Sequence, residues 1–187
     1  GAERRLQVAL DGPVSVVDDY AHHPSEIAAS IEALRERYRG RRLIVVYQPH
    51  MYSRTRDYLP EFAEALSQAD FVVLPAISPA REEPIPGISS SRIAELLTAP
   101  HAYIPSRHLL PRKVAALTEP GDVVVAMGAG NIVEFSGLFI AELSRSNDPS
   151  RRRIVVVAGG DSSEREVSLL SGKAVLAALR GAGHPVV

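Results

Sequence analysis

Two segments concentrate side chains able to move protons or hold anions. In Asp18-Asp19-Tyr20-Ala21-His22-His23-Pro24 two carboxylates precede two imidazoles. An Asp in such a turn accepts hydrogen bonds from ribose hydroxyls, and a His near neutral pH donates to an anionic oxygen. Asp18 and His23 read more simply as a helix cap and an ordinary polar loop, which leaves Asp19 and His22 as the functional candidates. In Tyr47-Gln48-Pro49-His50-Met51-Tyr52-Ser53-Arg54-Thr55-Arg56-Asp57, two arginines follow a histidine. Guanidinium forks match carboxylate and phosphate geometry, so His50, Arg54 and Arg56 suggest an anion site. Arg56 has a second reading, as a structural partner of Asp57 or Asp19.

Two further segments carry weaker signals. The proline-dense Ala80-Arg81-Glu82-Glu83-Pro84-Ile85-Pro86-Gly87 reads as a long stiff loop, a type often functional. Gly128-Ala129-Gly130-Asn131 permits close approach of the backbone to a ligand, and serves equally to turn the chain into a helix. No Gly-x-x-x-x-Gly-Lys-Ser/Thr phosphate loop is present. Gly172-Lys173 lies in a helical pattern, with Val167 where the first glycine belongs.

The elements that must position these residues are strands and helices in alternation. Apolar runs at Val14 to Val17, Leu43 to Tyr47, Phe71 to Leu74, His101 to Ile104, Val123 to Met127 and Ile154 to Ala158 predict strands covered on both faces. Helical stripes fall at Ile27, Ile31, Leu34 and Tyr38, at Phe62 and Leu66, at Ile93, Leu96 and Leu97, and at Leu110, Val114 and Leu117. Pro24 suits the first helix's opening turn and Gly40 its end. The expected fold is α/β, a Rossmann-like, mostly parallel sheet with helices on both faces. In such a sheet ligands bind beyond the carboxyl ends of the strands, where both anion-directed segments fall. Ser144 to Arg153, polar and charged with Pro149 inside it, predicts a linker. The domains expected are therefore 1–143, a linker at 144–153, and an incomplete βαβ unit at 154–187, with a helix from Glu164 to Arg180.

The chain has 187 residues, 45% hydrophobic and 23% charged, with 21 Lys+Arg against 22 Asp+Glu. So balanced a charge provides no global field for nucleic acid or anionic lipid, and anion binding must be local. The absence of cysteine excludes disulfides and thiolate metal sites. No apolar run approaches the roughly 20 residues that span a bilayer, and no secretory core is present. A cytoplasmic protein with no nucleic-acid or membrane partner is expected. Gly1 is not a methionine and Pro185-Val186-Val187 reads as mid-strand, so both ends are expected to lie inside a longer chain.

The run Val17 to Pro24, then Gln48 to Asp57, then Pro84-Ile85-Pro86-Gly87 and Met127-Gly128-Ala129-Gly130-Asn131-Ile132, resembles the C-terminal domain of the Mur ligases, in the branch that joins L-alanine to UDP-N-acetylmuramate. The resemblance covers about residues 1–143. It implies a lid that closes on a central ATPase domain for ATP-driven amide formation through an acyl phosphate, in peptidoglycan precursor synthesis. ATP and Mg2+ would be bound mainly by that central domain, upstream of Gly1. By the same resemblance Asp19 contacts the nucleotide, His22 lies near the incoming amino acid and the reacting phosphate, and Arg54 helps hold the amino-acid carboxylate. The family usually carries a second arginine where this chain has Met51. A thioether cannot pair with a carboxylate, so either Arg54 or Arg56 carries that function alone, or amino-acid affinity is weakened.

Val157 to Gly172, with Gly159-Gly160-Asp161 and Glu164-Arg165-Glu166-Val167-Ser168, resembles the start of the D-alanine:D-alanine ligases. That resemblance implies that Glu164 faces the ammonium of the first D-alanine, while the residue itself reads equally as a capping carboxylate. The two resemblances together imply a bifunctional fusion, of which this chain alone is inactive. The alternative is a stand-alone Rossmann-like module that binds a nucleotide or sugar phosphate.

Overall fold

The computed structural model describes residues 4–146, 156–161 and 163–181. The chain divides into two compact units, Gly1–Ala141 and Glu142–Val187. In chain order the elements are β1 (Gln7–Leu10), β2 (Ser15–Asp19), α1 (Pro24–Arg37), β3 (Leu43–Tyr47), α2 (Tyr52–Asp57), α3 (Leu59–Leu66), β4 (Phe71–Leu74), α4 (Ser90–Ala94), β5 (His101–Tyr103), α5 (Leu110–Ala115), β6 (Val123–Met127), a 3-10 turn (Asn131–Glu134), α6 (Phe135–Ser146) and α7 (Arg165–Gly181).

Six strands form one mixed sheet in the order β1-β2-β6-β3-β4-β5. Only β1 runs antiparallel, against β2, with its register shifting between Val8 and Leu10. The sequence reading has no counterpart for β1, whose Gln7-Val8-Ala9-Leu10 alternates exposed and half-buried positions instead of forming a continuous apolar run. β3 and β6 are buried at every position, as their uninterrupted apolar character requires.

Period-two alternation splits these side chains between two layers. Val17, Val45, Tyr47, Val72, Leu74, Val125 and Met127 form one cluster with Ile27, Ile31 and Leu34 of α1, Phe62 and Leu66 of α3, and Ile93 of α4. Val16, Ile44, Val46, Val73, Val124 and Ala126 are equally buried but lie outside that cluster, as do Leu110, Val114 and Phe139. Truncating a fully buried residue such as Ile27 to alanine costs about 2–5 kcal/mol.

α1 begins with Pro24 in its first turn, and Gly40 lies beyond its end at φ +75°. Two predicted stripes are shorter than expected. α4 ends at Ala94, leaving Leu96 50% exposed, and α5 ends at Ala115, leaving Leu117 38% exposed. β5 has only three residues and is bracketed by prolines: Val72 N donates to Pro100 O and Ala76 N to Pro105 O.

Part of the expected linker is helical. Residues 144–146 continue α6, whose last turn carries a 2.7 Å ion pair between Arg145 and Glu142, while 147–153 lie outside the described residues. Of the predicted strand at Ile154 to Ala158, the first two residues also lie outside them. Val156, Val157 and Ala158 are not strand, since no ladder partner for them is present among the described residues. The helix predicted from Glu164 is α7. Its Gly172 sits where any Cβ would collide with the Ala158 side chain.

Candidate functional site

The carboxyl ends of three adjacent strands finish level: Asp19 of β2 stands opposite Met127 of β6, which stands opposite Tyr47 of β3. The helices that follow β2 and β3 join the first layer, whereas Phe139 of α6, which follows β6, lies outside it. Chains leaving neighbouring strands toward opposite faces open a crevice between them, the position at which open α/β sheets bind ligands.

Asp19 is 3% exposed. Its Oδ1 accepts from Ala21 N at 3.1 Å, while Oδ2 is buried with no partner. It lies in the wall of a cleft of about 430 Å3 with Arg5, Tyr20, Ser25, Glu26 and Ser30. His22 Nδ1 is 3.0 Å from Tyr20 O. A carbonyl only accepts, so Nδ1 carries the proton and Nε2 remains for exchange with a ligand. Glu26 accepts from the amides of His22 at 3.0 Å and His23 at 3.2 Å, and so secures the start of α1. Burial would raise the Glu26 pKa, but those amides and the His22 charge hold it below its ordinary value.

The second segment lies beyond β3. His50 Nδ1 and Arg54 Nη1 are both buried and unpartnered. Burial, then the Arg54 charge, then His22 push the His50 pKa down against the opposing pull of Glu82, so the imidazole is neutral near pH 7. Tyr47 is fully buried against Phe62, with ring centroids 5.4 Å apart, and its hydroxyl has no partner. Burial raises its pKa, which keeps the phenol a donor.

Of the sequence candidates, the structure brings His50 within electrostatic reach of Arg54 and His22, and sets Asp19 in a cleft shared with Glu26, which binds the His22 amide. Arg56 takes the second of its two readings. Its guanidinium is about half exposed and binds Asp57 at 2.7 Å. Glu164 belongs to the second unit and directly precedes α7, where the helix dipole favours a carboxylate. Asp18 is no helix cap: it lies within β2, one residue from the end, 3.7 Å from Arg4. Burial raises its pKa despite that neighbour. The capping role falls to His23, the N-cap of α1, whose Nδ1 is 3.0 Å from Ser25 Oγ and whose ring centroid is 5.0 Å from that of Tyr58.

The close approach allowed by the glycine pair is to the chain itself. A Cβ on Gly128, at φ +142°, would lie 2.7 Å from Gln48 O, and one on Gly130 2.5 Å from Ser78 Oγ. Gln48, buried at 4% exposure, accepts from Ile132 N through Oε1 at 3.0 Å, and its own amide donates to Met127 O at 3.0 Å. It binds the loops after β3 and β6 together, a role that only its place in the second motif hinted at. Among the described residues, no group of three or more His, Cys, Asp or Glu is placed to hold a metal ion, and no helix is long and apolar enough to cross a membrane.

Residues 4–130 match the family model described as Mur ligase, glutamate ligase domain. The UDP-N-acetylmuramate--L-alanine ligase of Mycolicibacterium gilvum is 45% identical over 147 residues, 76% of this chain and 31% of that protein. The corresponding ligase of Geobacter sulfurreducens is 41% identical over 152 residues, 78% of this chain and 33% of that protein. Among solved structures, the UDP-N-acetylmuramate-alanine ligase of Thermotoga maritima superposes with a TM-score of 0.65 at 25% identity, covering 79% of this chain and 31% of that one. The chain thus spans about a third of the length of these relatives.

Proposed function

The chain belongs to the Mur ligase family, and from that premise we propose that its first unit is the nucleotide- and amino-acid-binding lid of an ATP-dependent ligase joining L-alanine to UDP-N-acetylmuramate. One observation carries this reading. At the carboxyl end of the sheet a carboxylate oxygen of Asp19, an imidazole nitrogen of His50 and a guanidinium nitrogen of Arg54 are buried without partners. Leaving buried polar atoms without partners is costly, so these groups suit a ligand that supplies the missing bonds.

In this reading Arg54 holds the carboxylate of L-alanine and neutral His50 donates or accepts beside it. Asp19 accepts from the nucleotide, and Nε2 of His22 faces the reacting phosphate. Closing such a lid excludes water, which protects an acyl phosphate until the amine displaces phosphate from it. Mg2+ would supply charge neutralisation at the phosphates and would be held by a central domain of the parent ligase. The enzyme acts on small molecules in the cytoplasm, in peptidoglycan synthesis.

The second unit supports a further part of the proposal, fusion to a D-alanine:D-alanine ligase. Its glycine turn has Gly159 and Gly160 at φ +116° and +121°, Gly159 N donates to Ser168 Oγ at 3.0 Å, and Glu164 stands at the head of α7. The coding sequence downstream should contain an ATP-grasp domain, and an unrelated sequence there would overturn the fusion.

The function is tested in the ligase containing this domain, by phosphate release dependent on ATP, UDP-N-acetylmuramate and L-alanine. Arg54→Ala should raise KM for L-alanine with little effect on that for ATP, and Asp19→Ala should do the reverse. Unchanged constants in both variants would overturn the assignment. The 187-residue chain alone should release no phosphate, and detectable amide synthesis by it would remove the lid-only reading.

A further inference from the structure

The segment after β4, from Ser78 into the proline-dense loop, is bound to the anion-directed segment by a row of hydrogen bonds. Ser78 N donates to Pro49 O at 2.8 Å, and Met51 N donates back to Ser78 O at 2.9 Å. Two residues beyond Met51, Ser53 N donates to Glu82 Oε2 at 2.9 Å, and Ser53 Oγ donates to Glu82 Oε1. The segment needs this support. α2 has only six residues, too few to persist on its own, and its N-cap is Met51, whose side chain cannot accept from the helix amides. Met51 also sits at φ +74°, a conformation L-residues avoid and keep only where neighbours enforce it.

We infer that Glu82 is the positioning residue of the anion site, a carboxylate delivered from the loop after β4 that caps α2 and so fixes where the guanidinium of Arg54 points. This rests on the reading of Arg54 as the holder of the amino-acid carboxylate. The geometry is specific: both carboxylate oxygens of Glu82 engage the residue directly before Arg54, one through the backbone and one through the hydroxyl. The electrostatics agree. The Ser53 bonds hold the Glu82 carboxyl below its ordinary pKa, and its negative charge acts on both Arg54 and His50. It therefore places a counter-charge within reach of the Arg54 guanidinium. The strain at Met51 is the cost of turning the chain sharply enough for α2 to begin under that carboxylate.

Two measurements decide it. In nitrogen-15 spectra of the 187-residue chain, the Ser53 amide should shift with pH, following one carboxyl that titrates below the usual Glu range. In Glu82→Gln that shift should vanish, while the Leu43 amide, bonded to Asp70 at 2.7 Å, still titrates in both proteins. A Ser53 amide that does not titrate, or titrates unchanged in the variant, overturns the clamp. In the complete ligase, Glu82→Ala should raise KM for L-alanine about five- to tenfold, with kcat and the KM for ATP within about twofold, and Glu82→Gln should fall between. In an Arg54→Ala background the same change should add less than about twofold, because both act on one contact. Additive losses, or a loss shared with ATP, would show that the loop acts only on stability. If the unaltered ligase does not use L-alanine, the proposed function falls, and the Ser53 titration alone decides the clamp.

Discussion

The two ends of the same sheet treat the same residue types in opposite ways. At the amino end, Arg42 grips Asp122 through two bonds of 2.7 and 3.0 Å, and Arg35 grips Asp70 through two of 2.9 Å. Arg41 spends its guanidinium on the carbonyls of Pro13, Gly121 and Asp122 and on Ser15 Oγ. At the carboxyl end Asp19, His50 and Arg54 each keep a buried polar atom without a partner. Forks that close on their own chain contribute to stability. Those held open are positioned at its expense, and the difference marks where a ligand is expected.

Breaking the closed end should give the largest effect on folding. Asp122 is 5% exposed and accepts from the Arg42 fork and from Glu119 N at 2.7 Å. Asp122→Ala should therefore cost about 2–3 kcal/mol in urea unfolding, since hydrogen bonds to charged groups contribute about 1.5–3 kcal/mol; a loss under about 1 kcal/mol would erase the contrast. Breaking the open end should leave the melting point nearly unchanged and act on binding instead. Arg54→Ala is expected to raise KM for L-alanine by about ten- to a hundredfold, the size of a lost charge-assisted fork. A drop in melting temperature matching that of Asp122→Ala would mean that Arg54 is structural.

A smaller effect separates the ends by pH. Burial would raise the Asp70 pKa, but the Arg35 fork, the Leu43 amide and neighbouring charges bring it below its ordinary value. A carboxylate depressed in the folded state contributes stability above its unfolded pKa of about 4, and that stability is lost as pH falls through the lower folded value. Asp70→Asn should thus flatten part of the acid limb below about pH 4, read from urea midpoints. A variant as acid-sensitive as the parent would deny Asp70 that role. The smallest effect belongs to Arg56→Ala. Its exposed pair with Asp57, screened by solvent, should leave the urea midpoint where it is, with KM for L-alanine unchanged. A large rise in that KM would return Arg56 to the anion site.

Much of this contrast was legible in the sequence and some was not. Buried parallel strands announce themselves as apolar runs such as Leu43-Ile44-Val45-Val46-Tyr47, so the sheet and the position of both loops beyond it could be read directly. β1 escaped because an edge strand exposed on one side carries no such run. Asp19, His50 and Arg54 could be named from residue type, but whether a given Arg is closed or open depends on what lies across space. Arg56 finds Asp57 next to it in sequence, whereas Arg42 finds Asp122 from a distant loop and Arg54 finds nothing that frees its buried nitrogen. Glu82 was invisible as a clamp for the same reason: its partner Ser53 is reached only after β3 and β4 pair.

The prolines bracketing β5 bear on how this sheet meets other proteins. An open sheet margin is a template on which strands of separate molecules can zip together. Here that margin is a three-residue strand within four residues that separate two prolines, rings that carry no amide hydrogen, and at the far margin the register slips within β1. Both borders are therefore poor templates for a further strand, and crowding at high expression should not drive this unit into ordered stacks.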